Sequence, residues 1–159
     1  MRTTMRTLVA LAAGVVVMLA LTATAAADHP GGGGTPFTVM LVGAEECNAQ
    51  GVCGLGDLDG SGVAKLTLNQ GQGEVCYTIT VGDVQTITAA HIHRAPAGVS
   101  GPIVVPLNPT GDDAADGQWS GCTEVDKELV KAIRQNPAGY YVNVHNPPFP
   151  AGALRGQLG

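Results

Sequence analysis

Two histidines separated by one residue, His91-Ile92-His93, are the sharpest chemical feature of this 159-residue chain. In an extended strand, residues i and i+2 leave the same face, so both imidazoles project together while Ala90 and Ile92 take the other side. Two rings placed this way can share one metal ion. A third, His145, ends the run Tyr140-Tyr141-Val142-Asn143-Val144-His145. There Tyr140, Val142 and Val144 share one face, and Tyr141, Asn143 and His145 the other. Three imidazoles on non-core faces make a nitrogen donor set of the kind that copper and zinc accept. A structural reading competes with it. The same rings can hydrogen-bond the turns around Arg94–Gly98 and Asn146–Pro148 and lock those loops between strands. Glu45, Glu46 and Arg155 are available as supporting groups or as a salt bridge, with surface pairing the default.

Whether such a site meets an oxidising compartment depends on the N-terminus. Arg2 and Arg6 precede an uncharged stretch from Leu8 to Leu21, and small residues through Ala27 follow. Positive, apolar, small is the order of a secretory signal peptide, and the apolar run is shorter than the roughly 20 residues of a membrane span. Residues 1–27 therefore read as a leader removed on export, leaving no membrane span. Removal leaves 159 less 27, or 132, residues. All thirteen acids and six of the eight basic residues remain, a formal charge of −7. An acidic chain with scattered bases lacks the electrostatic footprint of a nucleic-acid binder. The expected partner is an extracytoplasmic protein or envelope component.

Cys47, Cys53, Cys76 and Cys122 all lie beyond the leader. An even count in a small exported domain reads as disulfides, with three connectivities open. The favoured one joins Cys47 to Cys53 across a short glycine-containing loop and Cys76 to Cys122 between two strands. A zinc site made of these thiols lacks paired Cys-x-x-Cys spacing. Asp57-Leu58-Asp59-Gly60-Ser61-Gly62 begins like a calcium loop, but the twelfth position, where a bidentate Glu is needed, is Leu68. A turn rich in Asp and Gly is the expectation there. His29 offers a square-planar copper(II) site only if the leader ends after Ala26, which would expose Ala27-Asp28-His29. No Gly-x-Ser-x-Gly elbow, phosphate-cradling loop or His-Glu-x-x-His motif is present, and Asp112-Asp113 reads as a solvated turn. No catalytic residue is assigned, and a binding role is expected over an enzymatic one.

The elements that must hold the histidines are short. With 45% apolar residues but 13% charged and 4% aromatic, the chain is neither a disordered nor a long-helix sequence. Asp28 to Pro36, with Gly31 to Gly34, reads as a flexible leader, and the domain as residues 37–159. Alternation between turn clusters predicts strands at Phe37–Gly43, Val63–Asn69, Glu74–Gly82, Ile87–His93, Ile103–Leu107, Gln118–Glu124, Tyr140–His145 and Ala153–Leu158. Asp126 to Gln135 breaks the pattern. Leu129, Val130 and Ile133 form a helical stripe that Asn136-Pro137 stops. The expectation is an all-β Greek-key sandwich with one short helical crossover.

Seven segments in order also carry a family resemblance. They are Phe37 to Glu46, Gly62 to Asn69, Cys76 to Val81, Ala90-His91-Ile92-His93, Gly101 to Leu107, Tyr140 to His145 and Pro150 to Leu158. Together they resemble the CHRD (chordin-type) domain, over about residues 37 to 158. The chain departs from the usual pattern between Glu46 and Asp59, where the Cys47–Cys53 loop replaces a commoner Pro-rich turn. The resemblance implies export, a β-sandwich of superoxide-dismutase or immunoglobulin style, and a role in extracellular binding without an assigned catalytic activity. The His-x-His strand is also loosely similar to that of copper-zinc superoxide dismutases. Four histidines are too few for their two-metal site, which argues against dismutase activity.

Overall fold

The computed structural model describes residues 33–108 and 116–159. The signal-peptide reading, His29, most of the glycine leader and Asp112-Asp113 lie outside them. The elements are β1 (Thr35–Val42), β2 (Ser61–Asn69), β3 (Glu74–Gly82), β4 (Ala89–Arg94), β5 (Ile103–Pro106), β6 (Gln118–Glu124), α1 (Lys127–Gln135), β7 (Tyr140–His145) and β8 (Leu154–Gln157). The all-β class with one short helix is therefore as expected.

β1 starts two residues earlier than expected, with Thr35 opposite Leu68 and Pro36 opposite Thr67. Proline is tolerated because β1 pairs with β8 only through Val42 and Arg155, so Pro36 has a ladder neighbour on one side alone. At the same end of β1, Arg134 Nε on α1 donates to Thr35 Oγ1 at 2.7 Å. Thr35 and Pro36 thus belong to β1.

The strands run β5-β4-β7-β8-β1-β2-β3-β6 in one antiparallel sheet. Its two four-strand groups, β5-β4-β7-β8 and β1-β2-β3-β6, are joined through the single pair Val42 and Arg155. The sheet curls until its edges meet. Trp119 Nε1 on β6 donates to Leu107 O just past β5 (3.1 Å), and Thr123 Oγ1 donates to Pro106 O (2.9 Å). Tyr77 Oη on β3 reaches Asn108 O (3.2 Å). These side chains satisfy carbonyls that a bare edge would expose.

The inside is filled by alternate residues, including Val75, Tyr77, Ile79 and Val81 of β3, Ala90 and Ile92 of β4, and Tyr140, Val142 and Val144 of β7. Each buried Val, Leu or Ile contributes about 1.5–3 kcal/mol, which compensates for the scarcity of aromatics. Helix α1 adds Val130 and Ile133, both fully buried, with Leu129 packed alongside. Asp126 caps it, its carboxylate accepting from the N–H groups of Glu128 and Leu129.

Both expected disulfides are present. Cys76 and Cys122 face each other directly on β3 and β6, with Cα atoms 3.9 Å apart. Cys47 and Cys53 close the loop after β1. Among the described residues no helix is long and apolar enough to cross a membrane.

β7 departs from the pattern of a half-buried strand. Its core face is covered by the sheet interior, yet Tyr141 and Asn143 on the opposite face are also buried, at 2% and 1% exposure. The loops after β1, β4 and β7 roof that second face.

Candidate functional site

Register sets the site. His91 on β4 lies opposite Asn143 on β7, and Asn143 opposite Arg155 on β8. One row along, His93 lies opposite Tyr141, and Tyr141 opposite Gln157. His145 ends β7 opposite Ala89 and so sits diagonally from His91. An extra residue on β5, Val104, falls between the partners of Ile92 and His93, so the ladder is interrupted where the second histidine emerges.

The three predicted histidines come together. Ring centroids are 5.1 Å apart for His91 and His145, 5.7 Å for His91 and His93, and 6.2 Å for His93 and His145. One nitrogen of each ring lies within 4.8 Å of one on each of the others. These are the residues that could hold a metal ion. Glu74, Cys76 and Cys122 also sit close together, but the disulfide consumes both thiols.

Hydrogen bonds fix the tautomers. A carbonyl can only accept, so His93 Nδ1–H donates to Gly101 O (2.8 Å) and His145 Nδ1–H donates to Pro150 O (3.2 Å). His145 Nε2 is then an acceptor, and His91 Nδ1–H donates to it at 3.2 Å. His93 Nε2 is buried and has no hydrogen-bond partner among the described residues. The structural reading is therefore met in part. Two rings do lock loops, through Gly101 and Pro150, which lie slightly beyond the turns expected.

Burial lowers the pKa of all three rings. It is the main cause of the fall of His91 from 6.5 to about 4, with the neighbouring His145 and His93 adding to it. For His93 and His145 the carbonyl bonds oppose the shift. All three stay neutral near pH 7, the form in which imidazole ligates metals.

The support around the rings is layered. The Arg155 guanidinium lies 3.5 Å from the centre of the Tyr141 ring. His93 stacks beside Tyr141, with ring centroids 4.8 Å apart and planes 14° from parallel. Arg155 also donates to Val99 O (3.0 Å) and Pro96 O (2.9 Å), which ties the β4–β5 loop over the face. In that loop the Gly101 N–H donates to Tyr141 Oη at 3.2 Å. A Cβ on Gly101 would collide with the backbone of Arg94, so only glycine brings this carbonyl to His93.

A surface salt bridge involving Glu45, Glu46 and Arg155 does not form among the described residues. Glu45 is exposed, while Glu46 and Arg155 are buried at 5% and 1% exposure with separate partners. Asn143 Nδ2 donates to Glu46 Oε2. Burial raises the Glu46 pKa, and the Asn143 bond, the Arg155 charge and the Cys47 N–H hold it down. Gly152 packs against this pair, where a Cβ would strike both Glu46 and Asn143.

Sequence reasoning put Tyr141 and Asn143 on this face but gave them no role. The alternation of β7 was the available signal. Asn143 Oδ1 and Asn146 Nδ2 are buried here without hydrogen-bond partners among the described residues. Asp57 and Asp59 form a turn, as expected, with Gly60 N–H donating to Asp57 O. Burial, reinforced by Asp59, raises the Asp57 pKa.

No curated protein and no solved structure matches the chain. The family model for the CHRD domain matches residues 37–158, which contain every strand after the first two residues of β1 and every residue of the histidine face. With three quarters of its length inside that match, the chain belongs to the CHRD domain family.

Proposed function

We propose that this chain is an exported, non-catalytic binding module whose working surface is the roofed polar face of β4, β7 and β8. The observation that carries the reading is the CHRD match over residues 37–158, because that domain suggests an extracellular interaction module. The two disulfides fit an oxidising compartment. The loops over the face also present apolar side chains to solvent. Val52 and Leu55 lie in or beside the Cys47–Cys53 loop, and Val99 on the β4–β5 loop, each about half exposed. Apolar side chains on rigid loops suit a protein or envelope partner.

Two measurements test this. The full chain, expressed in an export-competent host, should reach the extracytoplasmic fraction without residues 1–27 and without free thiols. Photo-crosslinking residues at Val52, Leu55 and Val99 should yield the same adduct in material from the native source. The same label at Lys131 on α1 should not. Cytoplasmic retention with reduced cysteines, or labelling no greater at the loops than at the helix, would overturn the proposal.

A second reading is compatible with the first and has its own observation. The three convergent imidazoles favour a copper or zinc centre on the same face.

A further inference from the structure

We infer that the donors to a copper or zinc ion at this face are His93 Nε2, His145 Nε2 and His91 Nδ1, two held ready by backbone carbonyls and one exchanged in from a hydrogen bond. The inference rests on reading the face as a metal centre and adds which atoms bind and what must move.

His93 and His145 each spend their Nδ1 proton on a carbonyl, of Gly101 and of Pro150. Their remaining lone pairs are both on Nε2. Metal-bound histidines characteristically donate the other ring N–H to such an outer partner, which fixes tautomer and orientation. His93 is 9% exposed, and its Nε2 is buried with no hydrogen-bond partner among the described residues. An unpaired buried acceptor is unfavourable, and a bound cation is one way to satisfy it.

His91 behaves differently. Its Nδ1 lies 3.2 Å from His145 Nε2, joined by one proton. Two nitrogens bound tetrahedrally to one ion at about 2.0–2.1 Å are separated by about 3.3 Å. The hydrogen-bonded pair thus already has the spacing of two ligands. Binding requires His91 to move its proton from Nδ1 to Nε2, a change of tautomer with no change of charge. The ion then replaces the proton between the rings. One nitrogen of each ring already lies within 4.8 Å of one on each of the others, so closing to ligand spacing takes at most about 1.5 Å, within reach of a ring rotation. Three neutral nitrogens leave a fourth position open and select late first-row ions over magnesium or calcium, which prefer oxygen.

The test uses the purified protein after chelator treatment. Zinc(II), copper(II) and magnesium(II) are titrated separately into wild type and into His91→Gln, His93→Gln and His145→Gln, with circular dichroism checking each fold. One equivalent of zinc or copper should bind more tightly than about 100 µM, and magnesium should not. Each substitution should weaken binding at least about tenfold, because even losing an outer hydrogen bond costs that much. Long-range imidazole 15N spectra of wild type with zinc should show the coordination shift at Nε2 of His93 and His145 and at Nδ1 of His91. If the variants do not fold, these wild-type spectra decide. Binding of both ions weaker than about 100 µM would overturn both the inference and the metal-centre reading. Tight binding with the shift on other nitrogens, or unaffected by all three substitutions in folded protein, would overturn the donor assignment alone. Metal analysis of protein isolated without chelator then distinguishes copper from zinc.

Discussion

Arg155 is the residue whose replacement should reveal most about how the face is held. It is 1% exposed, sits 3.5 Å over the centre of the Tyr141 ring, and bonds two carbonyls of the β4–β5 loop, Val99 and Pro96. Arg155→Lys keeps the charge but removes the planar fork. A single ammonium cannot span both carbonyls and also stack on the ring. One lost bond to a charged donor contributes about 1.5–3 kcal/mol and the desolvated cation–π contact about 2 kcal/mol. Allowing for partial replacement by the ammonium, the expected loss is about 3 kcal/mol, a large part of the 5–15 kcal/mol typical of a domain. Urea unfolding followed by Trp119 fluorescence measures it. Amide exchange should also show lower protection at Val99 and Gly101, whose N–H groups donate to Pro96 O and Tyr141 Oη. A loss below about 0.5 kcal/mol with unchanged protection at both amides would refute the reasoning, because surface changes lie in that range.

Arg155→Met tests the electrostatic half of the same argument. Burial already raises the Glu46 pKa above 4.5, and the Arg155 charge helps hold it down. Without that charge it rises further. Between 4.5 and its folded value, Glu46 then binds more protons in the folded than in the unfolded chain. Stability is accordingly lost as pH rises through that window, at no more than about 1.4 kcal/mol per pH unit for one group. The variant should show a steeper decline than wild type, and equal slopes would refute the coupling.

Other expectations follow from the same geometry. Burial lowers His91, His93 and His145, so the unfolded chain binds more protons than the folded one below pH 6.5. Stability present above that pH should fall as pH drops toward 4, by up to about 1.4 kcal/mol per unit for each ring. The difference in urea midpoint between wild type and His91→Gln should shrink over that range, and a constant difference would count against it. Sequence separations of 46 and 6 predict that replacing Cys76 and Cys122 with Ala costs about 4 kcal/mol, and replacing Cys47 and Cys53 about 2 kcal/mol. Equal losses in denaturant titration would contradict the loop-closure account. Trp119→Phe should cost about 1–2 kcal/mol by leaving Leu107 O without its indole donor, and an unchanged denaturant midpoint would show that the edge closes without it.

What was legible in the sequence and what was not separate along a physical line. The alternation of Glu74–Gly82 and Tyr140–His145 is carried by side-chain type, and both strands fall at those bounds. The shared face of His91 and His93 needs only the two-residue period of a strand, and it too was readable. The roof over that face was not, because it is built largely from backbone. Gly101 O, Pro150 O, Pro96 O and Val99 O orient His93, His145 and Arg155, and every residue carries such an oxygen. Only folding selects which ones arrive. The side-chain partners are also distant in sequence. Asn143 and Glu46 are 97 residues apart, Arg155 and Val99 56, and His91 and His145 54. A charged residue between Leu154 and Gly156 reads locally as a solvent-facing strand position, and surface pairing was accordingly expected for Arg155. The loops reverse that reading. By burying Arg155, Glu46 and His93 and half-burying His91 and His145, they turn the outward side of an ordinary strand into a low-dielectric face, where neutral imidazoles persist and a tautomer can matter.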